Sequence, residues 1–136
     1  MSKKILIVDD DPDIVLFLST VLEDNGYHTI DATNGQEGLE MVKTEHPDLI
    51  LLDLMMPKKS GLSLLSDLKN DPDHRQIPVI MVTGVSGETG HDLASFFQGS
   101  STGDQEDKAM IPEGYLEKPV DPEKLLNMVK ELLQSA

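Results

Sequence analysis

Three aspartates that directly follow short apolar runs are the residues best suited to chemistry. Ile5–Val8 leads into Asp9 and Asp10, and Leu49–Leu52 leads into Asp53. If the two runs are neighbouring strands, the three carboxylates converge. Two such charges ~4 Å apart repel by about 4 kcal/mol at an effective dielectric near 20. A cluster of this kind takes up protons or binds a cation. Mg2+ fits, because it prefers hard oxygen ligands in octahedral geometry and keeps waters that phosphate oxygens can replace. Asp53 carries the strongest signal: a carboxylate after four aliphatics, inside Leu52-Asp53-Leu54, is costly to bury without a partner or a task. Asp9 and Asp10 taken alone fit strand-end solvation equally well. Asp11 reads as a helix cap rather than a ligand.

Two further residues extend the set. Thr83 closes the apolar run Pro78–Val82 with a hydroxyl able to donate to a phosphoryl oxygen. Lys118 follows the shorter run Gly114–Glu117 with an ammonium able to pair with a carboxylate or phosphoryl oxygen. Each alone reads as an ordinary strand threonine or surface lysine. Their weight comes from position, since all five residues follow candidate strands.

The elements that must position them alternate along the chain. Runs apolar at every position suit strands buried on both faces of a parallel sheet, and His28–Ala32 adds a weaker candidate. Asp11-Pro12 is a helix start, an Asp cap with Pro at the first helical position. Ile14, Leu18, Val21 and Leu22 then share a face, and Asn25-Gly26 marks the stop. Gly35–His46 and Gly61–Asn70 read as helices, and Asp121-Pro122 opens a last one carrying Leu125, Val129, Leu132 and Leu133. Strands alternating with helices imply an α/β fold, an open parallel sheet with helices on both faces. In such sheets the ligand site lies beyond the carboxyl ends of the strands, at a switch in strand order.

Residues 84–112 break this rhythm. They hold Gly84, Gly87, Gly90, Gly99 and Gly103 among many Ser and Thr, with short helical patterns at His91–Gln98 and Asp104–Met110. A parallel crossover needs only about a dozen residues, so this connection is unusually long.

Composition narrows the function. A length of 136 residues fits one domain, and 38% hydrophobic with 26% charged residues is a globular balance. Cysteine is absent, which excludes disulfides, thiolate metal sites and Cys nucleophiles. A formal charge of −14 disfavours direct nucleic-acid binding and anionic membranes. No signal-peptide core or membrane-length apolar run is present, so a soluble, cytoplasmic protein is expected. His28, His46, His74 and His91 lack metal-ligand spacing and read as surface or loop residues. Phe96-Phe97 reads as core or interface.

The motifs Val8-Asp9-Asp10, Asp53-Leu54-Met55-Met56-Pro57 with Ser60-Gly61, Val82-Thr83-Gly84 and Tyr115-Leu116-Glu117-Lys118-Pro119 resemble those of bacterial two-component response-regulator receiver domains, in order and in nearly all spacings. The resemblance covers the chain apart from about residues 85–112. It implies a doubly wound, flavodoxin-like fold, five parallel strands in the order 2-1-3-4-5 flanked by about five helices, as a single receiver domain over 1–136. It implies that Asp53 accepts a phosphoryl group from a histidine kinase or phosphotransfer protein, catalysing its own phosphorylation and dephosphorylation. It implies a Mg2+ site formed by Asp9, Asp10, Asp53 and the Met55 carbonyl. Thr83 and Lys118 would bond the phosphoryl oxygens beside a small Gly84, and Thr83 and Tyr115 would form the switch. Two departures stand out: Ser60 replaces a commoner Asp, and the segment 85–112, which in the family contains the fourth helix and part of the surface that reports phosphorylation, is unusually long and rich in Gly and Ser. That segment is expected to be either a lid that sets partner choice or a plain insertion. The chain stops at Ala136, soon after the last helix, which suits a stand-alone receiver, monomeric or weakly dimeric, or one taken from a longer protein.

Two rival readings remain. A haloacid-dehalogenase-type phosphatase also uses an Asp nucleophile at a strand end, but needs a second Asp two residues on, where this chain has Met55. A degenerate interaction module would not be expected to keep Asp10, Asp53, Thr83 and Lys118 together.

Overall fold

A computed structural model describes residues 3–53, 61–83, 113–117 and 120–134, excepting the side chains of residues 61, 62 and 83. The elements run β1 (Lys4–Val8), α1 (Pro12–Glu23), β2 (His28–Ala32), α2 (Gly35–Glu45), β3 (Leu49–Asp53), α3 (Gly61–Lys69), β4 (Val79–Thr83), β5 (Gly114–Glu117) and α4 (Pro122–Gln134). The strands form one parallel sheet in the order β2-β1-β3-β4-β5. This is the expected α/β sheet and strand order. Four helices are present among the described residues. The helical patterns at His91–Gln98 and Asp104–Met110, and the Phe96-Phe97 pair, lie outside them.

The apolar runs form strands because both of their faces are buried. Side chains alternate across a strand, and the alternation divides the core in two. Leu6, Val8, Ile50, Leu52, Val79 and Met81 face one side, where Val42 of α2 and Leu64, Leu65 and Leu68 of α3 meet them. Ile5, Ile7, Leu49, Leu51, Ile80 and Val82 face the other, against Leu18 and Leu22 of α1 and Leu125 and Val129 of α4. Gly38 lets α2 approach closely: a Cβ there would lie 3.0 Å from Leu64 Cδ2 and 3.1 Å from Val8 Cγ2.

The helix ends follow from capping chemistry. Asp11 adopts an extended conformation and its carboxylate accepts from the Asp13 N–H, with Pro12 opening α1. The Asp121 carboxylate accepts from the Glu123 N–H in the same way before α4. Asn34 Oδ1 accepts from the Glu37 N–H while Glu37 Oε1 accepts from the Thr33 N–H, which fixes the start of α2. After α1 the chain turns at Gly26, whose φ of 91° lies in the left-handed region that glycine enters without penalty. α2 ends one residue earlier than its pattern suggests, because His46 itself turns left-handed, with φ 50°, as the C-cap.

Candidate functional site

β1 and β3 are hydrogen-bonded neighbours, with Val8 opposite Leu52. β2 pairs with the far side of β1 and β4 with the far side of β3. Chain order therefore reverses between β1 and β3, and the crevice beyond their carboxyl ends is the switch point where ligands bind in open α/β sheets. Asp9 extends β1 by one residue, its N–H donating to the Ala32 carbonyl at 3.0 Å. Asp53 is the last residue of β3, in register with Val82.

Three carboxylates meet in this crevice. One oxygen from each of Asp9, Asp10 and Asp53 lies within 4.8 Å of the other two. Asp9 is 2% and Asp53 5% exposed, whereas Asp10 opens to solvent. Asp9 Oδ1 also accepts from the Asp11 N–H at 2.9 Å, so the residue that caps α1 also orients Asp9. Asp11 turns its own carboxylate to Asp13, which bears out its reading as a cap. At this spacing the carboxylates favour any small hard cation that can sit among them.

The fourth and fifth strands bring their residues to the same edge. Thr83 follows Val82, the register partner of Asp53, and stands opposite Glu117, the residue before Lys118. Met55, Gly84 and Lys118 lie outside the described residues, as does the Thr83 side chain. Tyr115 on β5 is partly buried against the α2–α3 side of the core. Burial disfavours its phenolate and raises its pKa above the ordinary value of 10.0.

The family model for the response regulator receiver domain matches residues 5–95. The chain belongs to this family. DivK, a polar-differentiation response regulator of Brucella ovis, is 32% identical over 136 residues, which is the whole of both chains. The ycf27 regulator of Porphyridium aerugineum is 34% identical over 132 residues, 97% of this chain but 48% of its own, so this chain spans about half of that relative. Among solved structures, the receiver domain of a Syntrophus aciditrophicus signal transduction histidine kinase superposes with a TM-score of 0.81 at 32% identity, covering 99% of this chain and 92% of that one. A CheY-like receiver protein of Methanospirillum hungatei gives 0.77 at 32% identity, covering 99% and 96%. A receiver is a signalling domain, and phosphorylation of an aspartate is the standard function of its family. No described helix is long and apolar enough to cross a membrane.

Sequence reasoning missed several features of this receiver. A cleft of about 520 Å³ runs from Asp9 and Asp10 along α1, lined also by Val15, Leu16, Ser19, Asp31 and Thr33. Asp31 and Thr33 belong to the end of β2, and strand order was the signal that could have pointed to them. His74 sits in the expected loop yet is only 9% exposed, its Nδ1 2.8 Å from Asp71 Oδ2. The Asp73 N–H and then His74 hold the Asp71 carboxyl below its usual pKa, against an opposing effect of burial. Lys69 and Glu113, unremarkable in sequence, form an ion pair whose Lys69 end is buried.

Proposed function

We propose that Asp53 is the phosphoacceptor of this receiver and that a sensor histidine kinase or phosphotransfer protein is the donor. The observation that carries this reading is the meeting of the Asp9, Asp10 and Asp53 carboxylates at the switch point between β1 and β3. A carboxylate oxygen of Asp53 attacks phosphorus as the P–N bond of the donor phosphohistidine breaks. An acyl phosphate forms, and the imidazole leaves with a proton. The receiver catalyses this step, and the later hydrolysis, through positioning and charge neutralisation.

The donor set suits Mg2+, with three hard oxygens in one cleft, two buried and one open to solvent. Asp9, Asp10, Asp53 and the Met55 carbonyl would hold the ion. When bound, it supplies charge neutralisation for the carboxylates and the phosphoryl oxygens. Thr83 donates its hydroxyl to one phosphoryl oxygen and Lys118 its ammonium to another, at the same sheet edge. Thr83 and Tyr115 then report phosphorylation by moving together. The whole chain acts as one receiver domain, in the cytoplasm, switching protein contacts as a monomer or weak dimer rather than binding nucleic acid itself. The segment 85–112 sets the choice of downstream partner.

Incubation with Mg2+ and acetyl phosphate, followed by intact mass measurement, tests the acceptor. The chain gains one phosphoryl group, and both Asp53→Asn and EDTA abolish the gain. Labelling that persists in Asp53→Asn overturns the assignment.

A further inference from the structure

β5 has four residues and, among the described residues, is an edge strand that pairs with β4 alone. So short a ladder fixes its register weakly, and a slip of one residue would send every side chain to the opposite face. Tyr115 and Leu116, which pack into opposite halves of the core, would exchange places. Glu117, the last residue of β5 and the one before Lys118 in sequence, would shift along the strand by ~3.3 Å.

Glu113, immediately before β5, resists that slip. Its N–H donates to the Val79 carbonyl at 2.8 Å, and its Oε1 accepts from the Val79 N–H at 2.8 Å. Both carboxylate oxygens accept from Lys69 Nζ, at 3.0 and 2.8 Å. Lys69 comes from the end of α3, its side chain only 3% exposed. The same ammonium donates to the carbonyls of Arg75 at 3.2 Å and Ile77 at 3.4 Å. A buried ammonium tolerates the loss of its carboxylate poorly. A register slip would withdraw Glu113 and leave Lys69 buried without its counter-charge. One ion pair thus joins α3, the loop before β4, the first residue of β4 and the entry to β5.

We infer that Lys69 and Glu113 are positioning residues for phosphoryl transfer, their ion pair setting the register of β5 and hence the position of Glu117, from which the chain continues into Lys118. The inference rests on the roles proposed for Asp53 and Lys118. It separates two properties of the site. Cation binding depends chiefly on the carboxylates that β1 and β3 carry, whereas the hydrogen bonds of the pair run among α3, the loop before β4, β4 and the entry to β5. The rate of transfer depends on β5, which it holds.

The double variant Lys69→Met with Glu113→Gln removes both charges together and so avoids a lone buried ion. Its Mg2+ affinity, measured by calorimetric titration, stays within about twofold of the parent chain, because the three carboxylates keep their strands. Its rate of phosphorylation by acetyl phosphate at saturating Mg2+ falls about tenfold or more, since a misplacement of ~1 Å can cost as much as ~100-fold. Hydrogen exchange rises in Gly114–Glu117 and not in β1 or β3. Glu113→Asp keeps both charges but shortens the reach, and shows a smaller rate loss with the same split. An unchanged rate overturns the inference, and so does a parallel loss of rate and Mg2+ affinity. Failure of the acceptor assignment is read separately, as labelling of Asp53→Asn in a chain with the pair intact.

Discussion

The two ends of the strands handle charge in opposite ways. At the carboxyl edge, Asp9, Asp10 and Asp53 bring like charges within 4.8 Å of one another. At the amino edge, opposite charges pair: Lys69 with Glu113 at 2.8 Å and Lys4 with Glu45 at 3.2 Å, while Asp48 accepts from the Lys4 backbone N–H. The same strands therefore carry a cluster of like charges at one end and ion pairs at the other. Like charges gathered in a folded protein cost stability that binding can recover, whereas the paired end supplies rigidity to the site.

The largest effect that could break this contrast comes from opening the closed end. Glu113→Gln alone leaves the Lys69 ammonium buried with a neutral partner. It is expected to cost roughly 2–4 kcal/mol in urea denaturation, somewhat less than a fully buried pair because Glu113 is partly exposed. A cost near zero would make the amino edge no more rigid than an ordinary surface. Relief of the open end acts in the other direction. Asp10→Asn in Mg2+-free buffer removes one of three like charges and raises the melting temperature by about 2–4 °C, while weakening Mg2+ binding. A lower melting temperature would show that the cluster is not under repulsion.

The smallest effect concerns the strand that joins the two ends. Tyr27 and Tyr115 are the only tyrosines, so Tyr27→Phe isolates Tyr115 in an ultraviolet titration of the phenolate. Its pKa lies above 10.0 because the folded state favours the neutral phenol. The stability this contributes is complete below the ordinary pKa and is lost as pH rises through the higher folded value. A midpoint at or below 10.0 would place Tyr115 in water.

Much of the open end was legible in the sequence. Continuous apolar runs announce doubly buried strands, and a parallel sheet sends every carboxyl end to one edge, so Asp9, Asp10 and Asp53 converge once β1 and β3 are neighbours. The Asp-Pro pairs announce α1 and α4 through capping geometry that is wholly local. Strand order is not local, and it came from resemblance rather than from periodicity. The closed end was illegible for the same reason. Lys69 and Glu113 are 44 positions apart, on either side of the longest connection, and each alone looks like a solvated charge. His74 looked like a loop residue and is one, but its burial against Asp71 depends on how the loop folds back.

The division of the core has a consequence for change over time. Among the described buried residues, the sheet acts as a bulkhead: Leu6, Val8, Ile50 and Leu52 share a cluster with the helices α2 and α3 and not with α1 or α4, while Ile5, Ile7, Leu49 and Leu51 share one with α1 and α4. Substitutions in separate compartments share few partners, so their effects should add, while those within one compartment should couple. Each half of the interior can then be repacked without renegotiating the other. A lineage that needs a new surface on α2 and α3 can acquire it while the α1 side, next to the cation cleft, keeps its shape.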